Sequence, residues 1–458
     1  MSTGAPATHT SPTAPREHPA GASRLAVLDG FRGIAIVLVV LSHLGKVWPE
    51  QLRPEFGPLD GLFAAGSIGV TIFLVVGGFL VTRGLLAARA RDGLRGPVVS
   101  FTRRLVRISL QVYLLLAVVA VVAEIDPTDP NSRSATNSSI FAVATYWWNV
   151  YVRTHALEAR SDLGPLYYLS IELQFYLVLL VLVLLLSRHR RVLAGLLAAA
   201  IPVVTVWRWY VYDTQGWFVA SLMTTTRMDG LLYGALAALL VDLLPDRVRA
   251  GLRRHSAALV GGSLLVVVGV VVSCAFYDIG AYFKLQGIVL TAACALLVLG
   301  CASPLDTQAY AVRALSERRL AWLGAASLSI FVWHVPIFEL IMRHTPDWPP
   351  AARTAVALGV LAGVVHVVER FVAQPVTAMV RRVGTARPDA GTAGEPGPPV
   401  VPAGLARSTA AAPMPVTTGT PGSVPSGAGV RGPLRTVDVP EDWDDGFEDY
   451  DYDGPVRD

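Results

Sequence analysis

Eight side chains in this sequence combine ionisable or cationic chemistry with strongly apolar or helix-terminal surroundings: Arg32, His43, Arg104, Arg107, Glu172, Arg227, Asp229 and His334. A charge at the centre of a bilayer costs at least about 2.5–3.5 kcal/mol, so such groups pair with one another or face a cavity. Arg32 and His43 are eleven residues apart in LDGFRGIAIVLVVLSHLG. On a helix that is about three turns, which puts them on one face and about 16 Å apart along the axis. An Asp29–Arg32 anchoring pair with an interfacial His43 is the structural alternative. Glu172 stands in LYYLSIELQFYLVLLVLVLLL beside Ser170, Gln174 and Tyr176. There it must be protonated, paired or solvated, and each state suits acid–base work as well as a helix-packing hydrogen bond. Arg104 and Arg107 share a face in FTRRLVRI, where two guanidinium forks at a helix start suit phosphate; positive-inside anchoring also explains them. Arg227 and Asp229, two apart, face different directions and pair with other helices. His334 lies between Trp333 and Pro336, beside a proline kink, and His366, Glu369 and Arg370 read as a structural ion-pair group.

The elements that position these groups are membrane spans. The 458-residue chain is 53% hydrophobic and 16% charged, against about a quarter charged in soluble proteins, which excludes an ordinary soluble enzyme. Ten apolar segments approach the roughly 20 residues needed to cross hydrocarbon. They fall at about 25–45, 65–88, 101–123, 164–186, 191–212, 217–241, 256–277, 281–301, 321–342 and 351–376. The fold class expected is an all-α integral membrane protein, a bundle of about ten transmembrane helices. The stretch 139–152 is too short and too aromatic to span and reads as interfacial or re-entrant. Arginines concentrate on alternate flanks, which places those loops and both termini in the cytoplasm. Residues 1–23 and 384–458 have compositions that favour disorder, the second ending in the acidic run EDWDDGFEDYDYDG, which reads as a protein-partner site or a solvating tail. Residues 24–383 form the membrane domain. The three cysteines sit in or beside apolar stretches without metal or disulfide spacing, and no metal is expected. Net charge is only +4, and no nucleic-acid partner is expected. Walker, GxGxxG, HExxH, CxxC and GxSxG signatures are absent from the membrane region. Chemistry here must use His, carboxylate and Arg inside the bundle.

The first apolar segment resembles the opening of the membrane-bound acyltransferase-3 family, whose first helix carries Arg-x10-His, here Arg32 and His43. FLVVGGFLVTRGLL resembles the family's FxxSGFLIT segment with Gly77 in place of serine; FTRRLVRI carries its Arg-x-x-Arg, and LYYLSIELQFYL resembles WSLSVEEQFYL. TTRMDGLLYGALAALL, LGAASLSIFVWHVP and VVERFVAQP follow in family order, so the resemblance covers residues 25–376. Leu173 replaces a second glutamate and Tyr168 a tryptophan. The resemblance implies a membrane-embedded O-acyltransferase, most often an O-acetyltransferase, using acetyl-CoA or another acyl-CoA as donor and a hydroxyl of a glycan, glycolipid or other glycosylated molecule as acceptor. It implies Arg32, Arg104 and Arg107 as donor-phosphate ligands and His43 as general base or transient acyl carrier. Glu172 would orient or charge-balance that histidine, and Arg227, Asp229 and His334 would shape the acceptor pocket or stabilise the oxyanion. Many relatives append an SGNH-type hydrolase domain; the composition of residues 384–458 leads to the expectation that none follows here, and the chain is then expected to act on its acceptor directly or through a partner, in the plasma membrane. The competing class is a multi-pass transporter of a small polar or anionic substrate, since intramembrane charges also mark substrate paths; no repeat between spans 1–5 and 6–10 supports it.

Overall fold

A computed structural model of the chain describes residues 20–48, 65–277, 279–302 and 309–385. Among them every regular element is helical. In chain order the helices are α1 (Ala20–His43), α2 (Gly66–Asp92), α3 (Arg95–Ile125), α4 (Arg133–Ala144), α5 (Trp148–Thr154), α6 (Tyr167–Leu186), α7 (Arg190–Leu222), α8 (Thr224–Arg227) and α9 (Asp229–Leu243). Then follow α10 (Asp246–Arg254), α11 (Ser256–Ser273), α12 (Ile279–Ala281), α13 (Gly287–Cys301), α14 (Tyr310–Leu315), α15 (Arg318–Ala325), α16 (Ser327–His344), α17 (Pro350–Val368) and α18 (Gln374–Thr385). The expected tails lie almost wholly outside the described residues; α1 already begins at Ala20.

Among the described residues eight helices are long and apolar enough to cross a membrane, and α15 with α16, bent by 71° at Ala326, supplies up to a ninth. The protein is thus an all-α, multi-pass membrane protein. The difference from the ten expected spans lies at 217–241. There Gly216 takes a positive φ of 82°, α7 ends at Leu222, and α9 has only 15 residues. A broken stretch at this position leaves main-chain groups in need of protein partners, and Asn149 Nδ2 supplies one by donating to Leu222 O at 3.1 Å.

α2 is the central helix, packed by α1, α3, α6, α9 and α13 and buried along most of its length. Its contact with α9 is main chain against main chain: a Cβ at Gly78 would lie 2.3 Å from Leu231 O, and one at Gly234 2.0 Å from Val75 O. Without a hydrophobic drive between helices in lipid, such close approach is what holds them together.

The segment 139–152 forms two short helices, neither long enough to cross a membrane. α4 and α5 form a hairpin that returns along α3. At its tip Tyr113 donates to Ala144 O at 3.1 Å, and the Tyr146 and Ser109 hydroxyls meet at 2.7 Å, about 18–24 Å back from Ile125. Gln174 of α6 holds the tip by donating to Tyr146 O at 3.1 Å. At the opposite end of the hairpin Arg160, only 1% exposed, binds Asp129 at 2.8 Å and Asp162 at 2.6 Å and donates to Thr136 at 2.9 Å. Burial alone would raise the Asp129 pKa, but the Asn131 main-chain and side-chain N–H groups and the Arg160 guanidinium outweigh it and hold it at about 2.

Candidate functional site

His43 is the last residue of α1, and His334 lies in the middle of α16; both are fully buried. Their rings meet edge to face, with centroids 5.0 Å apart and planes at 79°. His43 Nδ1 lies 3.0 Å from Val39 O, and His334 Nδ1 lies 2.6 Å from Phe331 O. A carbonyl only accepts, so in each ring Nδ1 carries the hydrogen and Nε2 holds the lone pair in the neutral form. The helices thus fix both tautomers with their own main chain. Two residues nearly 300 apart in the chain form one imidazole pair, and nothing in the spacing within either span signals it.

Glu172 is placed elsewhere. Its carboxylate pairs with Arg104 Nη2 at 3.2 Å and accepts from the Tyr176 hydroxyl one turn along α6. Arg104 Nη2 also donates to Tyr176 Oη at 2.9 Å, its guanidinium 4.6 Å from that ring. All three side chains are 2% exposed or less. Gly77 makes room for them: a Cβ there would lie 2.6 Å from Tyr176 Oη and 3.0 Å from Glu172 Oε1. Glycine instead of serine at this position is therefore matched to the packing of the α6 motif.

The same central helix measures how far this group is from the histidines. A Cβ at Gly66 would touch Ser42 Oγ, next to His43, whereas Gly77 faces Glu172. Those glycines are eleven residues apart, about 16 Å along α2. The expected carboxylate–imidazole contact is therefore replaced by a carboxylate–guanidinium pair at another level of the bundle. Arg104, expected to hold donor phosphates, is buried in this same pair, and Arg107, one turn on, is half-buried.

Arg32 is buried, bound to Asp29 at 2.9 Å and donating to Ser327 Oγ at 3.0 Å at the start of α16. From this contact α1 and α16 run in the same direction to the histidine pair. Arg227 donates to Tyr282 Oη at 2.6 Å, and that hydroxyl meets Thr71 Oγ1 of α2 at 2.7 Å. Asp229 pairs with Arg208 of α7, itself 1% exposed. The two neighbours face different partners, and the break at Met228 between α8 and α9 separates them. Arg208 is the buried charge that sequence reasoning passed over; its position inside VVTVWRWYVY was the available signal. Ser329 Oγ lies 2.9 Å from Gln111 Oε1 and 2.5 Å from Glu369 Oε1, so Glu369 ties the end of α17 to α16 and α3. Among the described residues, no three His, Cys, Asp or Glu side chains are grouped to hold a metal ion.

Comparison with known proteins places this geometry in a family context. The acyltransferase domain model Acyl_transf_3 matches residues 25–368, which contain every candidate residue named above. The peptidoglycan O-acetyltransferase OatA of Listeria monocytogenes is 24% identical over 327 residues, covering 68% of this chain and 49% of that protein. YrhL of Bacillus subtilis, provisionally named a peptidoglycan O-acetyltransferase, is 26% identical over 330 residues, with 68% and 48% covered. A provisionally named O-acetyltransferase of Staphylococcus aureus strain COL is 24% identical, with 70% and 52% covered. The chain spans about half the length of the curated relatives it matches. No solved structure matches it.

Proposed function

The chain belongs to the acyltransferase-3 family, and from that premise we propose that it is a membrane-embedded O-acyltransferase, moving an acetyl or similar group from acyl-CoA to a glycan hydroxyl. The observation that carries the reading is the buried His43 imidazole, with Nδ1 committed to Val39 O and Nε2 basic. A general base on a hydroxyl needs that tautomer. His43 removes the acceptor proton as the oxygen attacks the thioester carbonyl, the C–S bond breaks, and coenzyme A leaves as the thiol once its sulfur is protonated. In the second form of the same chemistry, His43 first carries the acyl group itself.

Arg32 and Arg107 serve the donor's phosphates, for which guanidinium forks are suited. Arg104 and Glu172 act as a buried pair that holds α3 to α6 beneath the site rather than as direct ligands. Arg227, held by Tyr282, and Asp229, held by Arg208, shape the acceptor side. The arginine-rich ends face the cytoplasm, the source of acyl-CoA, and the bilayer is the plasma membrane. OatA is named for action on peptidoglycan, and a cell-envelope glycan is the acceptor class we assign.

Purified protein in sealed proteoliposomes, given radiolabelled acetyl-CoA and envelope glycan fragments, should transfer label to the glycan. His43→Ala should insert and fold like the wild type yet lose about 10²–10⁴-fold in transfer rate. Normal turnover by that variant would remove His43 from the mechanism, and uptake of label without turnover would favour a transporter.

A further inference from the structure

An acyl transfer from a thioester to a hydroxyl moves two protons: one leaves the attacking oxygen, and one must reach the departing sulfur. The site holds two imidazoles in contact, 5.0 Å between centroids, each wholly buried and each with its Nδ1–H spent on a main-chain carbonyl. Phe331 and Phe338 flank His334, each with its ring centroid 5.9 Å away. Packing alone would be met between two phenylalanines by another apolar ring, without the desolvation that an imidazole brings. The polar ring instead faces the one other buried histidine among the described residues.

We propose that His334 is a second catalytic residue, the general acid that protonates the thiolate of the leaving coenzyme A, while His43 is the base on the acceptor. Before the step the pair carries one proton beyond its two Nδ1 hydrogens, on His334 Nε2. The acceptor oxygen bonds to the carbonyl carbon as its proton passes to His43 Nε2. The C–S bond breaks, its electron pair stays on sulfur, and His334 delivers its proton there. The products are the ester and the free thiol. The proton taken up by His43 then crosses to its neighbour and restores the starting state, so protons balance over each turnover without a further reactant. Two positive rings at this separation repel, so the pair holds no more than one extra proton. The proposal rests on the acyltransferase reading and adds to it the division of the two proton transfers between α1 and α16.

The experiment varies the leaving group. Full-length protein in nanodiscs is assayed with acetyl-CoA and with the acetyl thioester of 5-thio-2-nitrobenzoate, whose thiolate is stable without a proton. His334→Gln should lose about 10²–10⁴-fold with acetyl-CoA and keep most of its rate with the activated thioester. His43→Gln should lose comparably with both, because the acceptor hydroxyl is the same. Equal losses for His334→Gln with both donors would mark a structural role and overturn the assignment, as would full activity with acetyl-CoA. Absence of transfer by the wild type from either donor would instead overturn the acyltransferase reading on which the proposal rests.

Discussion

At the scale of single residues, the polar groups of this bundle are arranged in compensated sets, because an unpaired charge in hydrocarbon is too costly to keep. Arg104 has Glu172 and Tyr176, Arg208 has Asp229, Arg227 has Tyr282, and Arg32 has Asp29 and Ser327. The first set depends on a missing side chain. Gly77→Ala would press a methyl group against the Tyr176 hydroxyl and the Glu172 carboxylate. Overpacking of this kind costs about 1–3 kcal/mol, and a lowered unfolding midpoint in detergent would register it. An unchanged midpoint would show that the α6 motif has slack at this position. Part of this arrangement was legible beforehand: the residue types stand in the sequence, and the shared helical face of Arg32 and His43 follows from helical geometry. The partner of each charge was not, since Arg104 and Glu172 are 68 residues apart and only packing brings them together.

At the scale of elements, the α4–α5 hairpin shows why a short aromatic stretch can sit within a span-filled sequence. It does not cross; it dips along α3 and is held at its tip by Tyr113, Ser109 and Gln174 and at its base by Arg160. The base should be sensitive to acid. Asp129 ionises at about 2 in the folded state, below the usual carboxylate value of about 3.9, so its contribution is complete above roughly pH 4. That contribution falls as the pH drops through about 2, when the carboxylate gains a proton and the Arg160 pair is lost. Stability followed between pH 5 and pH 2 should therefore decline in the wild type and decline less in Asp129→Asn. Arg160→Met should be costly at neutral pH, by about 3–5 kcal/mol, because it takes the cation from Asp162 and leaves Asp129 only the more distant Arg343, at 3.5 Å. Wild-type stability in the Arg160→Met variant would mean that solvent reaches the cluster freely. The broken helix at 217–241 belongs to the same scale: its apolar composition reads as a span, but Gly216 and the Met223–Met228 region bend the chain, and this bend sets Arg227 against Tyr282 and Asp229 against Arg208.

At the scale of the whole molecule, charge distribution and helix packing give one arrangement. Arg83 and Arg190 both bind Asp242, at 3.0 and 2.8 Å, and Arg89 donates to Ser187 at 3.2 Å. These contacts gather the ends of α2, α6, α7 and α9 into one basic face. From the positive-inside rule we propose that this face is the cytoplasmic one. A single cysteine introduced at Arg253 should then be labelled by a membrane-impermeant maleimide only in inverted vesicles, and one at Ser132 only in intact cells; the reverse pattern would invert the topology. The sequence by itself determined the class of molecule, most of its spans and the residue types available for chemistry. It did so because apolar length and helical periodicity are local properties of a chain that must satisfy its own hydrogen bonds in lipid. Only the tertiary structure decided which charges neutralise one another, that Glu172 sits about 16 Å along α2 from the level of His43, and that His43 meets His334. Those relations are made by helices distant in sequence, and their register against one another is set by where glycine lets main chains touch.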